Sequence, residues 1–131
     1  MIAIDSSALV AILRKEPDAL LYAEAIGAAN VRILSSVGCL ETSMVMAGAG
    51  LGESVWEPLD RLLARSKIAV LPFDAEQASL ARAAFLKYGK GRHPASLNFG
   101  DCAAYALAKS KRVPLLYKGE DFAKTDIVSA L

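Results

Sequence analysis

The residues best suited to do chemistry in this sequence are four widely separated carboxylates, Asp5, Glu41, Asp101 and Asp121. Asp5 directly follows the apolar run 2–4, which is typical of a short buried strand, and open α/β sheets bind ligands at the carboxyl ends of their strands. Like charges ~4 Å apart at an effective dielectric of about 20 repel by about 4 kcal/mol per pair, so converging carboxylates take up protons or hold cations. Without a histidine or cysteine cluster, these acids would suit a hard ion such as Mg²⁺ or Mn²⁺.

Three of the four acids also have a simpler explanation. Asp5 could cap the helix that follows it. Asp101 stands three residues after Asn98, which could be an N-cap, and the helix dipole favours negative charge in the first turn. Asp121 follows the last clear strand and could be a solvated loop residue. Their expected convergence at one edge of a sheet is therefore a stronger argument than any single position.

Glu41 is the acid with the weakest alternative explanation. Its helical neighbours Val37, Met44 and Val45 place it on an apolar stripe. A capping box would account for it if Ser or Thr stood three residues earlier, but that residue is Gly38. Because buried carboxylates need partners, Glu41 is expected to point into a site.

Predicted strands alternate with predicted helices along the chain. The strands cover 2–4, 31–35, 68–72 and 113–117, with a short apolar pair at 127–128, and the helices cover 8–13, 17–29, the residues after the second strand to about Ala49, 53–66, 74–88 and 98–111. This alternation predicts an α/β domain whose mostly parallel sheet is covered by helices on both faces.

The composition predicts one folded domain. The chain has 131 residues, of which 54% are hydrophobic and 22% charged, and its net charge is +1. Without a global basic field, any nucleic-acid binding must use local patches. The first residues lack the basic start of a signal peptide, and the longest uncharged run, 42–52, is far shorter than ~18 apolar residues. We therefore expect a cytoplasmic protein without a membrane span.

Several segments carry a family resemblance through their order and spacing. They are IDSSALVA at 4–11, LET at 40–42, YGKGRH at 88–93, LNFGDC at 97–102, LLYKGEDF at 115–122 and TDI at 125–127. Together they resemble the PIN-domain ribonucleases, and specifically the VapC toxins of bacterial toxin–antitoxin pairs. The resemblance implies a single PIN domain over residues 1–131, with three α/β/α layers and a central, mostly parallel sheet of four to five strands.

The resemblance also implies that Asp5, Glu41, Asp101 and Asp121 form an acidic quartet. The implied activity is that of a toxic metal-dependent endoribonuclease, which hydrolyses RNA phosphodiester bonds with a metal-activated water and leaves a 5′-phosphate and a 3′-hydroxyl. Asp5 and Asp101 would bind Mg²⁺, or Mn²⁺, most directly. Glu41 and Asp121 would complete the site through waters or a second ion.

The fourth acid departs from the commonest family pattern. Many members place it three residues before the phenylalanine, where this chain has Gly119. A subgroup with the Lys-Gly-Glu-Asp-Phe pattern has it directly before the phenylalanine, which corresponds here to Asp121 before Phe122. Glu120 and Asp126 are nearby alternatives that could replace or support it.

Two polar residues are expected to support the acids. Ser7 could hydrogen-bond Asp5 or a water on the metal, and Asn98 could orient Asp101, as groups around metal ligands commonly do. Both could equally be helix caps.

Cationic contacts to RNA would have to be local. Lys90, Arg92 and His93 in one loop, with Lys118 beside the fourth acid, could supply them, although a merely solvated loop explains the first three equally well. The resemblance further implies a homodimer, held inactive by a VapB-type antitoxin in a larger complex that contacts DNA only through the antitoxin.

Two other classes of protein fit the sequence less well. A phosphatase using Asp5 as nucleophile usually has a second aspartate two residues on, where this chain has Ser7, and no phosphate-binding loop of the G-x-x-x-x-G-K type is present. A non-enzymatic receiver-like module would need an acidic pair near the first strand and a phosphoacceptor after the third. Neither is present.

Overall fold

In the computed structural model, which describes residues 1–48, 50 and 52–131, four short strands alternate with six α-helices. The strands are β1 (Ile2–Ile4), β2 (Arg32–Ser35), β3 (Ile68–Leu71) and β4 (Leu115–Leu116). The helices are α1 (Ser6–Leu13), α2 (Ala19–Ala28), α3 (Ser36–Ala47), α4 (Glu57–Arg65), α5 (Ala75–Tyr88) and α6 (Phe99–Lys111). The predicted alternation of strands and helices is confirmed.

The four strands form one parallel sheet in the order β3-β2-β1-β4. β1 is central, and Ile4 pairs with Leu34 on one side and Leu116 on the other. Because all four strands run in the same direction, their carboxyl ends meet at one edge of the sheet. Asp5 follows β1 directly at this edge.

Helices cover both faces of the sheet, which gives the three expected layers. One core layer packs the sheet against α5 and α6, and the other packs it against α1, α2 and α4. The buried strand residues of the first layer are Ala3, Ile33 and Leu115, and those of the second are Ile4, Leu34, Ile68 and Leu116. Neighbouring strand residues alternate between faces, as the pleat requires. Each fully buried leucine contributes roughly 1.5–3 kcal/mol, so the sheet is a rigid base for the side chains at its edge.

Several boundaries differ from the prediction, most of them by one or two residues. The helix predicted over 53–66 is divided into a 3₁₀ turn, Glu53–Trp56, and α4, because Pro58 favours the first turn of a new helix. β4 is shorter than 113–117, since Pro114 has no N–H to continue the ladder. Helix α3 ends at Ala47, and the predicted boundary at Ala49 lies outside the described residues.

The described helices were also assessed as membrane spans. Within residues 1–48, 50 and 52–131, no helix has the length and apolar character needed to cross a bilayer.

Candidate active site

Asp5 is the most buried of the four acids, with 3% of its surface exposed. Its N–H donates to the carbonyl oxygen of Leu116 at 2.9 Å, which fixes the residue between β1 and β4. Its Oδ2 accepts hydrogen bonds from both the N–H and the hydroxyl of Ser7, so it caps α1. The pKa of Asp5 is raised from 3.8 to about 7, mainly by burial and to a smaller extent by the charges of Asp101 and Glu41, while the Ser7 hydrogen bonds oppose the shift. Asp5 therefore caps α1, but capping alone does not account for its raised pKa.

Glu41 reaches the same place from the second turn of α3. The N-cap of that helix is Ser35, whose hydroxyl accepts from the Val37 N–H at 3.2 Å, so Glu41 has no part in capping. Its Oε1 instead accepts a hydrogen bond of 2.5 Å from the hydroxyl of Ser6. Its charge acts on both Asp5 and Asp101. Glu41 therefore lies against the start of α1, and its membership of a shared site stays a prediction.

Asp101 lies at the start of α6 in a capping box. Its N–H donates to the side chain of Asn98 at 2.9 Å, and its Oδ2 accepts from the Asn98 N–H at 3.0 Å. Desolvation raises the pKa of Asp101, and the charges of Glu41 and Asp121 raise it further, although the Asn98 hydrogen bond opposes them. Its Oδ1 accepts no hydrogen bond within the described part of the chain. One oxygen therefore belongs to the helix cap, and the other is available for chemistry.

The three candidates for the fourth acid have different surroundings. Asp121 is exposed at the start of a 3₁₀ turn, Phe122–Lys124, and its charge acts on Asp101. Asp126 instead accepts hydrogen bonds from Tyr105 and Lys109 at 2.6 and 2.9 Å. Glu120 is exposed and makes no side-chain hydrogen bond within the described residues. Of the three, Asp121 is the one whose charge raises the pKa of another member of the predicted quartet, Asp101.

Two residues of the site, Ser6 and Gly100, were missed by sequence reasoning. Ser6 hydrogen-bonds Glu41, and Gly100 leaves the space that the Glu41 carboxylate fills. The sequence contains one signal for Gly100. A glycine in the first turn of a helix lowers helix stability, so its presence there indicates a local requirement for it. Nothing in the sequence pairs Ser6 with an acid 35 positions away.

The chemistry of the four candidate ligands fits a hard divalent cation. All four candidate ligands are carboxylates, and two of them have raised pKa values that a bound cation would reverse. As the side chains stand, the described residues contain no group of three or more His, Cys, Asp or Glu close enough to hold an ion. The charges of the acids nevertheless act across the site, since Glu41 raises the pKa of both Asp5 and Asp101.

The predicted cationic loop lies directly before α6. Lys90 and Arg92 are exposed, and the segment that carries them leads to Asn98, the N-cap of that helix. His93 is half-buried, and its Nδ1 accepts a hydrogen bond from the Ala95 N–H at 3.0 Å. His93 therefore shapes the loop, while Lys90 is exposed and the guanidinium group of Arg92 lies over the ring of Phe85.

Lys118 is held differently from the loop cations. Its Nζ lies 2.5 Å from a carboxylate oxygen of Glu16 and 3.0 Å from one of Asp18. Its backbone N–H donates to the Ser7 hydroxyl at 2.9 Å. The Ser7 hydroxyl thus links Lys118 to Asp5, and the ammonium group of Lys118 is already paired.

Comparisons with known proteins identify the family of the chain. Residues 2–128 match the PIN domain. The chain is 48% identical to the VapC ribonuclease Mb0640 of Mycobacterium bovis over 96% of this chain and 95% of that protein. It is 49% identical to the ribonuclease VapC of Mycolicibacterium smegmatis, over 96% of this chain and 97% of that protein. The chain belongs to the VapC family of PIN-domain ribonucleases.

The fold agrees with solved VapC-type structures at much lower identity. The VapBC2 structure from Rickettsia felis, bound to a DNA fragment from its promoter, superposes with a TM-score of 0.78 at 17% identity, covering 98% of this chain and 96% of that one. The predicted PIN-like α/β/α fold is therefore confirmed, and the family identity of this VapC-type chain comes from its closer sequence relatives.

Proposed function

We propose that this VapC-type chain is the endoribonuclease toxin of a toxin–antitoxin pair and that Asp5, Glu41, Asp101 and Asp121 are its catalytic acids. The observation that carries the assignment is the convergence of Asp5, Glu41 and Asp101 from three different segments. The charges of Glu41 and Asp101 raise the pKa of Asp5, and the charge of Glu41 raises that of Asp101. Strongly perturbed carboxylates at a strand end are typical of functional sites. Asp121 joins them through its effect on Asp101.

The cofactor that we propose is Mg²⁺, with Mn²⁺ as a substitute. Asp5 and Asp101 would hold it most directly, through the oxygens that are free of helix-cap hydrogen bonds, and Glu41 and Asp121 would complete the site. A divalent cation held there would supply a more acidic water molecule and positive charge for the leaving oxygen. Carboxylates without nitrogen or sulfur ligands favour these hard ions.

The protein's own groups set the geometry of the reaction. Ser7 fixes one oxygen of Asp5, and Asn98 fixes one oxygen of Asp101, so the remaining oxygens have defined directions. Water attacks the phosphorus atom, and the bond from phosphorus to the 3′ oxygen breaks. Because the ribose 2′-hydroxyl takes no part, the products carry a 5′-phosphate and a 3′-hydroxyl.

RNA contacts are assigned to the loop before α6. Lys90 and Arg92 are exposed there and free to reach phosphates, and His93 holds the turn between them and the helix. Lys118 is the least available of the four predicted contacts, because Glu16 and Asp18 compete with phosphate for its charge.

We also propose a homodimer that a VapB-type antitoxin holds inactive, with DNA contacted through the antitoxin. The large apolar side chains exposed on α3, α5 and the start of α6 support contacts with other chains. They are Leu40, Met44, Leu86 and Phe99, exposed by 61, 66, 65 and 77%, and the last two border an apolar cavity of about 550 Å³. Sedimentation of the purified chain alone and with its antitoxin tests this assembly, and a chain that stays monomeric in both would contradict it.

The catalytic assignment is tested by the ends of cleaved RNA. Wild-type protein with Mg²⁺ should leave 5′-phosphates, and Asp101→Asn should cleave about 10³-fold more slowly, because several kcal/mol of transition-state stabilisation is lost. Asp60→Asn is the matched control, since Asp60 is exposed on α4, and it should retain wild-type activity. Cleavage that leaves 2′,3′-cyclic phosphates, or full activity in Asp101→Asn, would overturn the proposal.

A further inference from the structure

The Glu41 carboxylate occupies a gap between the first turns of two helices. On one side is Ser6, the first residue of α1, and on the other is Gly100, the second residue of α6. Ser6 directly follows Asp5, and Gly100 directly precedes Asp101. The Glu41 carboxylate therefore lies between Ser6 and Gly100, which are the chain neighbours of Asp5 and Asp101.

The two adjacent serines of α1 serve different acids. The Ser7 hydroxyl donates to Asp5, whereas the Ser6 hydroxyl donates to Oε1 of Glu41 at 2.5 Å. Residues 6 and 41 are far apart in sequence, so this bond ties α3 to the start of α1. It is the only hydrogen bond that the Glu41 side chain makes within the described residues.

Gly100 provides the space for the same carboxylate. A Cβ atom added to Gly100 would lie 2.1 Å from Oε2, 2.5 Å from Cδ and 2.6 Å from Oε1 of Glu41. Its three nearest neighbours would thus all belong to the far end of one flexible side chain. Any other residue at position 100 would push the Glu41 carboxylate aside, and the backbone would need little change.

We propose that Ser6 and Gly100 are positioning residues, which together fix the Glu41 carboxylate between Asp5 and Asp101. The inference rests on the proposed function, since it assumes that Glu41 is one of the catalytic acids. Ser6 acts by holding one oxygen, and Gly100 acts by having no side chain. Neither residue touches the reacting atoms.

The decisive variant is Gly100→Ala. It should reduce RNA cleavage by about 100-fold, since displacing a catalytic group by about 1 Å has an effect of this size. The denaturant midpoint of the metal-free protein should stay the same or rise, because alanine favours a helix more than glycine does. Gly27→Ala in α2 is the matched control, since a Cβ there would meet nothing within 4 Å, and its activity should equal that of the wild type.

Ser6 is tested by a pair of variants. Ser6→Ala should reduce cleavage by about 10-fold, within the range known for residues that orient metal ligands, and Ser6→Thr, which keeps the hydroxyl, should restore most of it. Equal activity in Ser6→Ala and wild type would overturn the role given to Ser6. The exposed Ser79→Ala in α5 controls for loss of a serine and should be fully active.

A double-mutant cycle with Glu41→Ala separates positioning from a structural role. If Gly100 acts only through Glu41, then Gly100→Ala should have no further effect on activity in the Glu41→Ala background. A second readout is the affinity for Mn²⁺, measured by calorimetry without RNA. It should fall by about 10-fold in either single variant and no further in the double variant. Additive losses would overturn the proposal.

The same variants show which proposal fails. Full activity in Glu41→Ala would remove Glu41 from the catalytic acids, and the proposed function would have to be revised. An inactive Glu41→Ala beside a fully active Gly100→Ala would overturn only the positioning role.

Discussion

Two groups of acids in this molecule have opposite surroundings. Asp5 and Asp101 lie beside Glu41, and none of the salt bridges in the described residues includes any of the three. Asp126 instead accepts hydrogen bonds from Tyr105 and Lys109, and these outweigh its partial burial and lower its pKa. The pKa of Asp5 is raised by burial and by its acidic neighbours. An acid with a cationic partner stabilises the fold. The acids without such a partner lower the stability of the fold and retain the capacity to bind a cation.

A second paired group supports the unpaired one. The hydrogen bond from Lys118 lowers the pKa of Asp18 despite partial desolvation, and Lys118 also pairs with Glu16. The backbone of the same lysine donates to Ser7, which holds Asp5. The ion-paired cluster of Lys118, Glu16 and Asp18 thus helps to keep in place a carboxylate that has no cationic partner.

The largest effect that we expect from this contrast is on stability, in Asp5→Asn. In the metal-free protein the folded state keeps the Asp5 proton up to about pH 7, whereas the unfolded chain releases it near 3.8. The folded state then binds more protons, so stability falls as pH rises between these values and is constant above them. Asp5→Asn lacks this penalty and should be more stable than the wild type by up to about 4 kcal/mol at pH 8, with little difference at pH 4.

Urea unfolding in EDTA at pH 4, 6 and 8 measures this difference. Asp126→Asn should change stability in the opposite direction and be less stable than the wild type at pH 8. An acid with a lowered pKa stabilises the fold above its unfolded pKa, and this contribution is lost as pH falls through the folded pKa. An Asp5→Asn protein that is less stable than the wild type at pH 8 would show that the buried carboxylate stabilises the fold without metal, and the contrast between the two groups would fail.

The sequence predicts the positions of the acids better than their partners. The strand before Asp5 and the apolar stripe around Glu41 are local patterns, so the parallel sheet and the meeting of three acids could be inferred from them. The Ser6 to Glu41 bond and the pairing of Lys118 with Glu16 join distant segments. Contacts of this kind depend on how helices pack, which a local pattern does not contain.

The ambiguity among acids near the end of the chain shows the same limit. Asp121 and Asp126 are both loop acids in the sequence, and only their neighbours distinguish them. Asp121→Asn should reduce cleavage by about 10-fold and leave unfolding unchanged, because the side chain is exposed and acts only on the site. Asp126→Ala should retain wild-type cleavage but lower the free energy of unfolding by about 1 kcal/mol, since it loses the Tyr105 hydrogen bond.

Parallel cleavage assays and urea unfolding of these two variants measure both effects. If Asp126→Ala were the inactive protein, the fourth acid would be Asp126, and its pairing with Lys109 would have to break when RNA binds.

The smallest effect that we expect is on RNA binding, for which the exposed Lys90 is compared with the ion-paired Lys118. Lys90 is exposed and makes no salt bridge within the described residues, so Lys90→Gln should remove one phosphate contact. The slope of log affinity against log salt for a single-stranded RNA should then be shallower by about 0.7. Lys118→Gln should leave the slope unchanged, because Glu16 and Asp18 already neutralise that ammonium group.

Binding to the inactive Asp101→Asn protein, followed by fluorescence anisotropy at several salt concentrations, avoids cleavage during the measurement. A shallower slope in Lys118→Gln would mean that RNA displaces the two carboxylates, and the paired cluster would then be part of the RNA-binding surface.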